Sequence, residues 1–272
     1  MAADGWAGRR VWWAPAQGFA ARRRAALLPR LGAVEVPGMN AAEVVVAADP
    51  DVLRSAPAGA IRVLDACAAP VTEAGAADLV WTLTEGDEWA LRHRLPVAAV
   101  AVPHLTKAQP RAPAPPDPAL GLRIRIVAPE REAGWVLDVA RPIWRAGLAP
   151  LAVLRPEGER DGPFTLPCGE AAADLALLPA EPDADAVADA LASGLPLIAV
   201  AGALGHLRRH HPWQAAPDVA AAARGALAAA YDPATLAALA RAAAATRRAA
   251  QLAVETGLAR TATALTGRRS GM

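Results

Sequence analysis

Two carboxylates eight positions apart, Glu181 and Asp189, lie in the most informative segment of the chain. A short apolar run at 175–178 leads into a loop carrying Glu181. A short helical stretch with Asp189 follows, then Gly194 and Pro196, then a second apolar run. Strand, loop, helix and strand in this order make half of a nucleotide-binding α/β unit, and such sheets take their ligands beyond the carboxyl ends of the strands. Both acids fall there, and an ionised carboxylate suits a hydroxyl-rich ligand because it accepts two hydrogen bonds at once. Gly18, after the first strand, stands where a missing side chain lets a substrate approach the backbone.

Other reactive types are scattered. The histidines are His93, His104, His206, His210 and His211, and the adjacent pair 210–211 lacks the spacing of converging metal ligands. Cys67 and Cys168 form no CxxC pair, so neither a zinc site nor a disulfide framework is expected. Trp12, Trp13, Trp81 and Trp135 lie on or near strand ends, where flat rings serve either core packing or stacking on a sugar or base. No Ser-His-Asp order, P-loop or full GxGxxG is present, which leaves hydrolase and kinase readings without support.

The elements that must position these residues alternate along the chain. A first strand is expected at 10–14, and short, mostly apolar runs without alternation at 44–48, 61–64, 79–83 and 97–102 show the habit of parallel strands covered on both faces. Helices are expected at 20–31, kinked or shortened by Pro29, and at 85–94. The proline-dense segment 108–121 can neither form a helix nor pair in a central sheet, and marks a linker. The pattern then restarts: a strand at 122–127, placed at an edge or partly exposed because Arg123 and Arg125 alternate with apolar residues, a helix at 134–146, a strand at 152–154, a loop at 158–169, a strand at 175, a helix at 185–193 closed by Gly194, and a strand at 195–201. Helices at 217–230 and 234–264 finish the chain. The expected architecture is α/β: two Rossmann-like parallel-sheet lobes facing a central cleft, an N-terminal lobe at 1–107 and a C-terminal lobe with the final helices at 122–272.

Composition narrows the class. The 28 basic and 27 acidic residues provide no global field to attract nucleic acid or a membrane surface, so an anionic ligand must be held locally. No charge-free apolar run approaches the ~20 residues that cross a bilayer, and the N-terminus does not have the form of a secretory signal. A cytoplasmic location is expected.

The segment around the two acids resembles the donor-binding half of GT-B glycosyltransferases of the family 4 type, whose phrase is Pro-Ser, an acid, seven residues, then Glu-Ala-x-Ala-x-Gly-x-Pro. Glu181, Asp189, Gly194 and Pro196 keep that spacing. Residues 78–85 are similar to the Ala-Asp-x-Val-x-Thr-x-Ser-Glu phrase of the N-terminal lobes of that family, and Pro103-His104 to the Val-Pro-Asn or Val-Pro-His that closes it. The resemblance implies transfer of a sugar from a nucleotide-sugar donor of the UDP or GDP type to a hydroxyl acceptor, with retention of configuration and no separate cofactor or metal. It implies Glu181 as the catalytic-site acid on the donor sugar and Asp189 on the ribose. Arg131, before Gly134 at the helix start, and Arg208 would hold the phosphates, and Gly18 would face the cleft. Plainer readings make Asp189 an exposed helix residue, Glu181 a loop acid, and Arg131 a partner of Glu130 or Glu132.

Departures from the phrase support an alternative. Ala133 stands where the family has a phosphate-binding lysine, and Pro182-Asp183-Ala184-Asp185 replaces small residues that wrap the sugar. These fit a catalytically inactive GT-B-like binding or scaffold protein that partners an active glycosyltransferase.

Overall fold

The computed structural model describes residues 6–67, 73–105, 123–126, 152–155, 165–167, 173–178, 184–200 and 215–269. The chain divides into two compact units, Met1–Thr106 with Ala250–Met272, and Lys107–Ala249.

The first unit is a six-stranded sheet of β1 (Arg10–Trp13), β2 (Val34–Glu35), β3 (Val44–Ala47), β4 (Ile61–Asp65), β5 (Leu79–Thr82) and β6 (Ala98–Ala101). All its pairings are parallel, in the order β2-β1-β3-β4-β5-β6. Burial of all four residues in β3 and in β5 follows from helices covering both faces. Val45, Ala47, Leu64, Val80 and Ala99 share one core with Leu53 of α2 (Pro50–Arg54) and Leu91 of α3 (Glu85–Arg94). Leu27 and Leu31 of α1 (Gly18–Leu31) are fully buried.

Local chemistry starts and stops these helices. Thr84 accepts from the Asp87 N–H at 3.1 Å ahead of α3, and Asp49 accepts from the Asp51 N–H at 2.9 Å ahead of α2. Pro29 does not shorten α1: the helix runs two residues past it and closes at Gly32, φ 64°. A proline in the last turn sacrifices one hydrogen bond, and packing of Leu27 and Leu31 outweighs it.

The second unit is also a six-stranded parallel sheet, built from β7 (Arg123–Ile126), β8 (Ala152–Arg155), β9 (Thr165–Pro167), β10 (Leu175–Leu178), β11 (Leu197–Val200) and β12 (Ala215–Ala216) in the order β12-β11-β10-β7-β8-β9. The expectation of an edge position for the 122–127 strand is corrected: β7 is central, between β10 and β8. Arg123 is tolerated there because Asp174 takes its Nε at 2.9 Å and its Nη2 at 2.8 Å, with the carboxylate buried. The expected loop 158–169 contains β9. The expected helix 134–146 lies outside the described residues.

Three helices complete this part of the chain: α4 (Ala184–Ala192), α5 (Val219–Tyr231) and α6 (Pro233–Arg269). Ala222, Ala223, Ala226 and Ala229 of α5 pack on Ile198 and Val200, small side chains permitting a close approach. α6 contributes to both units: Leu239 joins the core of the second, whereas Ala250 onward belongs to the first. There Trp6 Nε1 donates to the Leu258 carbonyl at 3.3 Å, and Trp81 Nε1 to Thr261 Oγ1 at 3.0 Å. No helix among the described residues is long and apolar enough to cross a membrane.

Candidate functional site

Parallel sheets collect ligands where the strand order reverses direction, at the carboxyl ends of the two strands on either side. In the first sheet that point lies between β1 and β3, and in the second between β7 and β10.

At the first point the turn after β1 ends at Gly18, φ 56°, which opens α1. A Cβ there would meet nothing within 4 Å, so the glycine answers a backbone requirement and leaves open space beside it. Gln17 makes no side-chain cap, and no acid occupies the first turn. The leading N–H groups of α1 therefore face this space without a side-chain acceptor from the cap, a setting that favours hydroxyl or anionic oxygen.

Behind that turn lies a buried polar cluster. Arg23, fully buried on α1, donates from Nε to both oxygens of Asp65 at 2.8 and 2.9 Å and from Nη2 to the Val102 carbonyl at 2.7 Å. One guanidinium thus ties α1 to the carboxyl ends of β4 and β6. Burial raises the Asp65 carboxyl above the usual range, against the pull of the Arg23 charge and hydrogen bonds. Burial, with the nearby Asp65 charge, pushes the Cys67 thiol up to about 12, so it is a neutral thiol and a poor nucleophile. His104 packs edge-on against Phe19 with ring centroids 4.7 Å apart. Burial, then the charges of Arg23, Arg22 and Arg30, lowers it to about 4, leaving a neutral imidazole. No local pattern marks Arg23 and Asp65 as partners, since they are 42 positions apart.

At the second point the structure describes the strands and one helix. β10 is fully buried and leads to α4, which holds Asp189 in helical backbone and ends at Ala192, two residues before Gly194, φ 68°. Glu181, Arg131, Gly134 and Arg208 lie outside the described residues, as does the side chain of Asp189. Among the described residues no group of three or more His, Cys, Asp or Glu could hold a metal ion. Of the tryptophans weighed for stacking, Trp13 and Trp81 are core: Trp81 packs against Trp13 at 5.7 Å and Trp6 at 6.0 Å. Trp12 packs partly buried against the opposite core, and Trp135 lies outside the described residues.

Comparison with known proteins defines the fold. No protein-family model and no curated protein sequence matches the chain. Solved structures do. A sucrose-phosphate synthase from Thermosynechococcus elongatus superposes with a TM-score of 0.57 and 17% identity over 85% of this chain and 75% of that one. AviGT4, a glycosyltransferase involved in avilamycin A biosynthesis, gives 0.53 and 16% over 94% and 98%. S. aureus TarM, solved in a complex that includes UDP, gives 0.56 and 10% over 79% of this chain, which spans 55% of the TarM chain. The protein has the fold of the GT-B glycosyltransferases.

Proposed function

We propose that the protein transfers a sugar from a UDP- or GDP-type nucleotide-sugar donor to a hydroxyl acceptor in the cytoplasm, with retention of configuration. The observation that carries this reading is the order of the second sheet. It reverses between β7 and β10, and the segment with Glu181 follows β10 directly and continues into the helix with Asp189. The GT-B fold, and the presence of UDP in the TarM complex, support a nucleotide ligand at that point.

In this reading the second unit takes the donor and the first the acceptor. Glu181 orients the sugar and Asp189 accepts from the ribose hydroxyls. Arg131, with Gly134 beside it in sequence, and Arg208 neutralise the diphosphate, and Gly18 lets ligand approach the start of α1. Catalysis would rest on stabilising the departing diphosphate with fixed donors, without an obligatory metal.

The test is thermal melting of the whole protein with UDP, GDP and a panel of nucleotide sugars. One nucleotide should raise the midpoint. Asp189→Ala should abolish that rise, and Arg131→Ala and Arg208→Ala should weaken binding about tenfold each, the worth of one charge-assisted contact. The same sugar nucleotide should then be consumed with an acceptor. Ala133 and the acidic stretch after Glu181 favour the second reading, a binding or scaffold partner of an active glycosyltransferase. Absence of any nucleotide shift selects it.

A further inference from the structure

β6 is the last strand of the first sheet, so among the described residues one side of it has no neighbouring strand. Its sequence context makes an open edge hazardous. Residues 97–102 read Val-Ala-Ala-Val-Ala-Val, six uncharged apolar residues in a row, the kind of segment that templates pairing with another chain. Pro96 and Pro103 bracket it directly, confining the hazard to these six positions.

Two outward-facing polar groups of this strand, the Ala99 carbonyl and the Ala101 N–H, are occupied by side chains. The Val102 N–H donates to the Thr82 carbonyl of β5, so even-numbered residues face β5 and Ala99 and Ala101 face outward. The Ala99 carbonyl accepts from Arg92 Nε at 3.1 Å and Nη2 at 3.0 Å. The Ala101 N–H donates to Glu88 Oε2 at 2.8 Å. The Ala101 carbonyl lies against the backbone of α6 at Gly257, where a Cβ would come within 2.3 Å of it. Arg260, one turn further along α6, donates to the same Glu88 carboxylate from Nη1 at 2.9 Å and also from Nη2. Side chains of α3 and the backbone of α6 thus stand where a seventh strand would pair.

We infer that Glu88, Arg92 and the Gly257 turn of α6 form a guard that denies the β6 edge to the same edge of a second copy of this chain. Two identical edges related by a two-fold axis would pair through the groups the guard now holds. A carboxylate and a guanidinium perform this task with little bulk, since one accepts from the outward N–H and the other donates to the outward C=O. The inference does not depend on the proposed sugar transfer.

The test compares mass by light scattering across protein concentration. Glu88→Ala with Arg92→Ala is expected to form species larger than the wild type, increasing with concentration. Adding Ala98→Lys, an exposed position on β6, should return the mass to the wild-type value, because a lysine on an edge strand opposes pairing. Unchanged mass in the double variant overturns the inference, and so does association that Ala98→Lys fails to reverse. Should the double variant lose the near-ultraviolet dichroism of the Trp6–Trp13–Trp81 group, Arg92→Ala alone decides. It keeps the bonds of Glu88 to Ala101 and Arg260, and it must show the same association and the same reversal, or the inference fails.

Discussion

Arg23 and Asp65 form a forked ion pair with side-chain exposures of 0% and 2%, and the same guanidinium reaches Val102. Three elements of the first unit meet at this one head group. Removing one partner of a buried pair leaves the other desolvated and unmatched, which costs about 3–5 kcal/mol. Arg23→Met should lose that much in urea unfolding, and Arg23→Lys should recover only part because an ammonium cannot reproduce the fork. A loss below about 1 kcal/mol for Arg23→Met would mean that Asp65 carries a proton in the fold, the direction in which burial drives it.

Glu88 shows the opposite balance. Burial alone would raise its carboxyl, but hydrogen bonds from Arg260 and the Ala101 N–H, with the charges of Arg260 and Arg92, hold it below 4.5. A depressed carboxylate contributes stability that is present above its unfolded value and lost as pH falls through the folded one. Glu88→Gln should therefore cost about 2 kcal/mol at pH 7, the scale of hydrogen bonds to a charged group, and less at an acid pH where the carboxylate takes up its proton. Urea titrations at the two pH values check this.

Gly257→Ala sets helix propensity against space. Alanine favours an exposed helix by about 1 kcal/mol over glycine. The added carbon would lie 2.3 Å from the Ala101 carbonyl oxygen, which is backbone and cannot swing aside. A net loss of about 1–3 kcal/mol is expected from this overpacking. Gly225→Ala on α5 is the contrast: its new carbon would meet only the end of the Ile198 side chain, at 3.1 Å, and should be near neutral. Melting midpoints of the two variants separate the cases.

His104 should resist protonation. Its folded value of about 4 lies below the unfolded 6.5, so the neutral ring contributes stability that is complete above pH 6.5 and disappears as pH falls towards 4. The shift is equivalent to about 3 kcal/mol at most. Proton NMR of the ring should show no titration above pH 5, and His104→Gln should flatten the decline in stability between pH 6.5 and 4.

Much of the fold was legible because local signals agreed with tertiary demand. Runs without alternation marked β3, β4, β5 and β6, and Gly194 marked the close of α4, whereas the Thr84 cap of α3 came only from the structure. The two-residue strands β2 and β12, and β9, carry too few residues for a periodic signal. Alternating Arg123 and Arg125 suggested an edge, yet Asp174 supplies a partner that makes a central strand possible. Gly18, weighed for its place after the first strand, has a left-handed backbone angle that accounts for its residue type.

The sequence by itself determined that strands and helices alternate in two similar halves, and which acids follow β10, because these depend on residue types within a few positions of one another. Only the tertiary structure decided that Arg23 would meet Asp65 and Val102, that Glu88 would hold both an edge strand and Arg260, and that the last turns of α6 belong with the first unit. Those pairings join residues 13 to 172 positions apart. No local preference encodes such distances; they are fixed when burial of apolar faces brings the elements together and every buried charge must find a partner.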